Sequence, residues 1–259
     1  AQDVVSEIKK AGGDAIANGD NVADFKAAKN IVDTAIKTFG KLNIVVNNAG
    51  ILRDRMIFNM AEEDWDAVIA VHLKGTFNMC RHACEYWREE HKKGNQLNGR
   101  IINTSSDAGL IGNVGQSNYG AAKAAVAAMA IIIGHEMKKY GVTANAIAPV
   151  ARTRLTVDAT PSTAALMGQP KTGEFDVFSP ANVAPIVAWL TSDDAAGVNG
   201  QVFRVGGSSV WPMRGWHSAT RIRGKGTWDP AELGQRIKAE LAKGITAGEN
   251  MGDIFAEGL

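Results

Sequence analysis

Cysteine is scarce: the chain has two, Cys80 and Cys84. Four apart in a helical pattern, they share a face at a separation that suits a disulfide poorly, so no disulfide framework exists. His72 and His82 stand nearby, but reduced, partly buried thiols are the expectation rather than a metal site. Long apolar runs are lacking too. No stretch of 18 apolar residues occurs, which by that measure excludes a membrane span. Neither sign of charge dominates: 28 Lys and Arg nearly cancel 27 Asp and Glu, leaving +1. That balance excludes a nucleic-acid surface over the whole molecule, though a local basic patch remains open. There is no internal repeat, and at 45% hydrophobic and 21% charged residues no compositional basis for disorder. The sequence starts Ala-Gln-Asp, without an initiating Met or a secretory signal, so the natural chain is expected to be longer. Asn103-Thr104-Ser105 matches a glycosylation sequon, but it sits at a predicted strand end, and a reducing, cytoplasmic setting is expected.

What is present is alternation. A short amphipathic pattern over 3–10 ends at Gly12-Gly13, and an extended stretch follows near 14–19. Apolar residues at helical spacing cover 22–39, and Gly40 stops them. Residues 42–46 form a short β-branched run of the buried parallel type. A long helical pattern over 61–91 leads to a strand over 100–104. The helix predicted over 117–139 is apolar nearly all round from Ala121 to Ile133, which suits a buried or interface position. A strand over 142–148, a helix over 181–190 and a last strand over 201–205 precede Gly206-Gly207. Strands alternating with helices predict an α/β fold, a doubly wound parallel sheet with helices on both faces, spanning 1–210. Residues 211–259 form a C-terminal extension on the same domain, with Trp211, Arg214, Trp216, Arg221 and Arg223 and a predicted helix over 230–243.

Chemistry concentrates at the start of the buried helix. Tyr119 and Lys123 are four apart and share a face. An ammonium beside a phenol stabilises the phenolate, so Lys123 is expected to lower the Tyr119 pKa from near 10. Such a tyrosine can exchange a proton with an alcohol or carbonyl oxygen. Ser106 lies thirteen residues upstream, just past a predicted strand end. In a parallel sheet strand ends and helix starts line the ligand crevice, where Ser106 and Tyr119 can meet. The glycines at 109, 112 and 115 superficially resemble a dinucleotide loop, but their place between Ser106 and Tyr119 argues against a phosphate site.

These residues resemble the short-chain dehydrogenase/reductase family. The resemblance rests on Asn47-Asn48-Ala49-Gly50 after a strand, Ser106 before Tyr119-Gly-Ala-Ala-Lys123, Asn145-Ala-Ile-Ala-Pro149 and the closing Gly206-Gly207. It implies a Rossmann-type fold and an NAD- or NADP-dependent enzyme, NAD being the expected cofactor, with no metal. By resemblance Tyr119 is the general acid/base, Lys123 lowers its pKa and binds the nicotinamide ribose, and Ser106 bonds the reacting oxygen. Asn47, Asn48, Ala49 and Gly50 would pack against the cofactor, or Asn47 and Asn48 would serve mainly as strand-end hydrogen bonders. Asp20 and Asn21 would lie near the adenine, and Pro149, Val150, Ala151 and Thr153 would border the nicotinamide.

Two departures narrow the resemblance. His72 stands where the family usually has a catalytic Asn, and Val150 follows Pro149 where Gly is common. Both look like the (3R)-hydroxyacyl-CoA dehydrogenase portion of multifunctional enzyme type 2, as do Gly50-Ile-Leu-Arg-Asp-Arg55 and Gly115-Gln-Ser-Asn-Tyr119. His72 would either join a proton relay or only support the helix and an ordered water. The implied reaction is hydride transfer between the cofactor and a 3-hydroxyacyl-CoA or its 3-oxoacyl-CoA, with a steroid-like acyl group among the candidates. Arg214, Arg221 and Arg223 would meet CoA phosphates or form a solvated basic surface. A free steroid or other alcohol, an acyl-carrier-protein thioester, and a non-catalytic truncated homologue are the alternatives. A homodimer or homotetramer is expected, with neither a nucleic-acid nor a membrane partner. Family chains begin with a strand, a glycine-rich turn, a helix and a second strand. None of these precedes Ala1, so the sheet is expected to lack its first two strands.

Overall fold

The apolar and β-branched runs become four parallel strands, β1 (Ile44–Asn47), β2 (Arg100–Thr104), β3 (Thr143–Val150) and β4 (Val202–Gly206), side by side in chain order. A fifth, β5 (Ser209–Met213), pairs antiparallel with β4. The computed structural model describes residues 1–157, 167–216, 218, 220–224 and 226–241. The sheet is therefore mixed rather than wholly parallel. The boundary drawn at 210 falls inside β5, so the start of the extension is a sheet strand.

Helices cover both faces. On one face α4 (Gly75–Lys92) and α6 (Ser117–Met137) bury Trp87, Ala83 and Ile133 against Val45, Ile101 and Ala144. On the other, α8 (Ala184–Thr191) lays Ile186 and Leu190 on Ile102, Ile147 and Val205. Alternate side chains of each strand thus serve opposite cores, as the two-residue period of a strand requires. β1 is the edge, and its outward Ile44 and Val46 are exposed. Fully burying a residue such as Ile101 or Leu190 contributes about 1.5–3 kcal/mol.

The helix ends follow local chemistry. At the start of α2 (Phe25–Phe39) the Asp24 carboxylate accepts the Ala27 N–H at 2.7 Å, and Gly40 ends the helix in the left-handed region. α1 (Gln2–Lys10) precedes it. The stretch over 14–19 is neither helix nor turn and pairs with no described strand. The pattern over 61–91 is one path with an interruption: α3 (Glu62–Ile69), a wide π turn at Ala70–Lys74, then α4. α6 with its last turn, Ser117–Tyr140, has a mean hydropathy of 1.3 over its most apolar window, long and apolar enough by those measures to cross a membrane. The count of unbroken runs missed this. It also carries the buried Lys123 and packs on β2 and β3. Among the described residues the other α-helices are α5 (Asp107–Leu110), α7 (Arg154–Val157) and α9 (Pro230–Arg236). Of the helix expected over 230–243, residues 242–243 lie outside the described residues.

Candidate active site

The C-terminal ends of β1, β2 and β3 lie in register, with Asn47 opposite Asn103 and Thr104 opposite Ile147. From the end of β2 the chain turns at Ser106, whose Oγ caps the four-residue α5 by accepting the Ala108 N–H at 3.2 Å. Two glycines let α5 press on the start of α6. A Cβ on Gly109 would lie 2.5 Å from the Ala124 nitrogen, and one on Gly120 would lie 2.8 Å from the Ala108 oxygen. This close approach sets Ser106 near enough to Tyr119 to act on its hydroxyl. The glycines at 109, 112 and 115 thus serve packing and turns, the latter two at positive φ.

Lys123 is 4% exposed, and its ammonium donates to the Thr104 carbonyl oxygen. Its nitrogen stands 5.5 Å from the Tyr119 ring centroid. Burial without a counter-charge lowers its pKa to about 8. Burial also raises the Tyr119 pKa, against the hydrogen bond from Ser106 and with the Asp54 carboxylate adding to the rise. The expectation that Lys123 lowers this pKa is therefore corrected. Desolvation sets the direction of the shift, and the ammonium is held at the Thr104 carbonyl beside the ring.

His72 sits in the π turn, 2% exposed, its ring edge-on to Tyr119 at 5.0 Å between centroids and 87° between planes. Its Nε2 lies 2.7 Å from the Ile51 oxygen and 3.1 Å from the Ile51 nitrogen, and Nδ1 has no partner. We assign the proton to Nε2, donating to Ile51, since the other tautomer buries an unpaired N–H donor. Burial, then the nearby Lys123 charge, lower its pKa to about 4, so the imidazole is neutral at pH 7. A Cβ on Gly50 would lie 2.6 Å from its Cε1, so the glycine makes room for the ring. Interruptions of this kind in a helix occur often at functional sites.

The expected cofactor contacts divide. Asn47 donates to Asn103 Oδ1 at 2.9 Å and to Cys80 Sγ at 3.3 Å, and Asn48 accepts from Thr104 Oγ1 at 3.1 Å, so both side chains bond across strand ends. With Ala49 they line a cleft of about 170 Å³, closed by Val22, Val71, Gly75 and Met79. Asp20 accepts from Asn30, and Asn21 from the Ala23 N–H, in the turn leading to Val22. β3 runs on to Val150, so Pro149 and Val150 are strand residues rather than loop. Ala151 and Thr153 follow, Thr153 bonding Thr156. Among the described residues His72, His82, Cys80 and Cys84 form no metal-binding cluster; His82 bonds the Phe25 oxygen. Burial raises both thiol pKa values, that of Cys84 to about 12. Arg214, Arg221 and Arg223 are exposed.

Residues without an assigned role in the sequence complete the site. Asn118, fully buried, donates to the Arg53 and Asp64 oxygens, and its Oδ1 accepts the Tyr119 N–H at 2.7 Å. Asp54 accepts from Gln116 at 2.8 Å, and the Arg55 N–H donates to Gly115. The strap over 50–55 is thereby fastened to the segment presenting Tyr119. The signal was present, since both segments carry quoted motifs, but nothing local pairs them.

The profile of the short chain dehydrogenase family matches residues 1–163. Hydroxyacyl-CoA dehydrogenase ChsB1 of Mycobacterium tuberculosis is 46% identical over 93% of this chain and 77% of its own. Peroxisomal multifunctional enzyme type 2 of Mus musculus is 37% identical over 83% of this chain, which spans 26% of that enzyme's length. The crystal structure of a short chain dehydrogenase from Mycobacterium avium superposes with a TM-score of 0.84 at 48% identity, over 96% of this chain and 80% of that one.

Proposed function

The chain belongs to the short-chain dehydrogenase family and is an NAD(P)-dependent oxidoreductase, and from that premise we propose that it interconverts a 3-hydroxyacyl-CoA and its 3-oxoacyl-CoA. The observation that carries this reading is the convergence of Ser106, Tyr119 and Lys123 at the strand ends, in a chain similar to a hydroxyacyl-CoA dehydrogenase along nearly all its length.

The residues present fit a nicotinamide nucleotide. Lys123 spends one donor on Thr104, and its buried charge has no carboxylate partner, so its remaining donors suit ribose hydroxyls. The cleft beside Asn48 and Ala49 is walled by Val22, Val71 and Met79. Asn47 to Gly50, Lys123 and Tyr119 would hold the nicotinamide ribose half, and Pro149 to Thr153 would border the ring. When bound, the nicotinamide supplies or takes up the hydride at the carbinol carbon.

The chain handles the proton and the geometry. Ser106 hydrogen-bonds the reacting oxygen, and Tyr119 gives that oxygen its proton or takes it back. Neutral His72 braces the Tyr119 ring and fixes Ile51 of the strap, a supporting role that fits its backbone bond better than a relay. A steroid-like acyl group and NAD rather than NADP are finer inferences resting on the motif resemblance. A homodimer or homotetramer is supported by Phe77 and Ile132, exposed on α4 and α6.

The test is turnover of 3-hydroxyacyl-CoA against the free alcohol, with NAD and NADP in separate assays. We expect the CoA thioester to be preferred, and Tyr119→Phe to lose at least 10²-fold in kcat while still binding cofactor. Retained activity in that variant, or preference for the free alcohol, refutes the reading.

A further inference from the structure

Asp107 follows Ser106 directly, and its carboxylate is buried beneath the turn that presents that serine. Its partner is Arg204 of β4, whose Nε lies 3.0 Å from Asp107 Oδ2, with both side chains 6% exposed. Arg204 is covered in turn by Trp211 of β5, its cross-strand neighbour, with the guanidinium carbon 4.6 Å from the indole centroid. The opening of the C-terminal extension therefore reaches the serine through two side-chain contacts.

We propose that Asp107 and Arg204, capped by Trp211, are positioning residues that fix the Ser106 hydroxyl toward Tyr119. α5 is a single turn of four residues, too short to hold its own geometry in water. Its glycine faces keep it near α6, but they do not fix its rotation at the Ser106 end. The ion pair supplies that anchor from β4, on the face of the sheet that α5 and α6 cover. General stability is a poor account of it. A buried ion pair is often no more stabilising than apolar residues of similar volume, so its worth lies in the arrangement it enforces. Arg204 Nη2 is buried without a partner, a cost that apolar side chains would avoid. The activity arm of this inference rests on the dehydrogenase reading.

Four proteins test it: the wild type, Asp107→Asn, Arg204→Lys and the apolar double variant Asp107→Leu/Arg204→Met. Each is assayed for kcat and KM with 3-hydroxybutyryl-CoA and NAD, for cofactor affinity, for Tm, and for amide exchange over 104–112. We expect the double variant to keep its Tm and cofactor affinity while kcat falls roughly ten- to hundredfold and exchange over 104–112 rises. Arg204→Lys, which keeps the charge, should recover much of both. A double variant with wild-type kcat and exchange overturns the proposal. If the double variant does not fold, Asp107→Asn decides: a kcat loss that merely follows its loss of folded protein overturns the proposal, and a loss at full folding upholds it. A wild type inert toward the thioester overturns the substrate reading alone, and exchange over 104–112 then decides the positioning role.

Discussion

Lowering the pH should destabilise this protein through one histidine before most carboxylates titrate. His72 is 2% exposed, so its burial is not relieved by solvent. Its pKa is about 4 in the fold against 6.5 unperturbed. Between those values the unfolded chain carries a proton at this position and the native chain does not. The unfolded state thus binds more protons, and stability falls as pH falls from 6.5 to 4, complete above that window and lost across it. At about 1.36 kcal/mol per unit, the full shift amounts to about 3 kcal/mol, of which about 2 kcal/mol is lost by pH 5. The assay is urea unfolding of the wild type and His72→Asn at pH 7.5, 6.5, 5.5 and 5.0. The variant lacks the titration, so the wild type's stability relative to it should drop by about 2 kcal/mol across the series. Parallel decline of the two proteins would refute the reasoning, since it would mean that His72 accepts its proton in the fold as readily as in the unfolded chain.

Lys123→Met should abolish turnover yet raise stability. The lysine's folded pKa of about 8 lies below its ordinary 10.5, so its penalty is complete below pH 8 and fades as pH rises to 10.5. Allowing for the lost bond to Thr104, a gain of about 1–2 kcal/mol at pH 7 is expected by urea unfolding, shrinking by pH 10; a less stable variant at pH 7 would contradict the burial argument. Gly109→Ala places a Cβ against α6 backbone that cannot yield, so calorimetry should show a loss of about 1–3 kcal/mol. Gly197→Ala, with open space around it, should leave Tm unchanged and serves as the control.

What could be read from the sequence was local or periodic. Tyr119 and Lys123 meet because four residues is one helical turn, and Ser106 joins them because strand ends in a parallel sheet face one crevice. What could not be read depends on partners far along the chain. Arg204 and Asp107 are 97 residues apart, and no periodicity in either segment announces the pair. β5 contains Pro212, which weakens a strand pattern; the structure accommodates it on an edge strand, where a missing N–H is tolerated. The π turn holding His72 has no compositional mark, because its residues fit an ordinary helix equally well. The reversed shift at Tyr119 has a similar origin. Spacing places an ammonium beside a phenol, but only the packed structure shows that the ammonium is tied to Thr104 and that burial raises the phenol's pKa.

Burial is the first cause of the shift at each of Tyr119, His72 and Lys123. Near pH 7 Tyr119 keeps its proton, His72 carries none, and Lys123 is charged although burial opposes it. The ammonium is therefore the one full positive charge of this trio, in surroundings where each charge acts more strongly than in water. In the proposed mechanism a protonated phenol beside a serine hydroxyl donates to a carbonyl oxygen, the direction of ketone reduction. In that mechanism alcohol oxidation needs the phenolate, which burial disfavours and which a neighbouring ammonium favours in principle. On the proposed reading, the stability lost to the buried lysine is the source of the field that makes the reverse direction accessible. That is why the substitution expected to strengthen the fold is also the one expected to silence it.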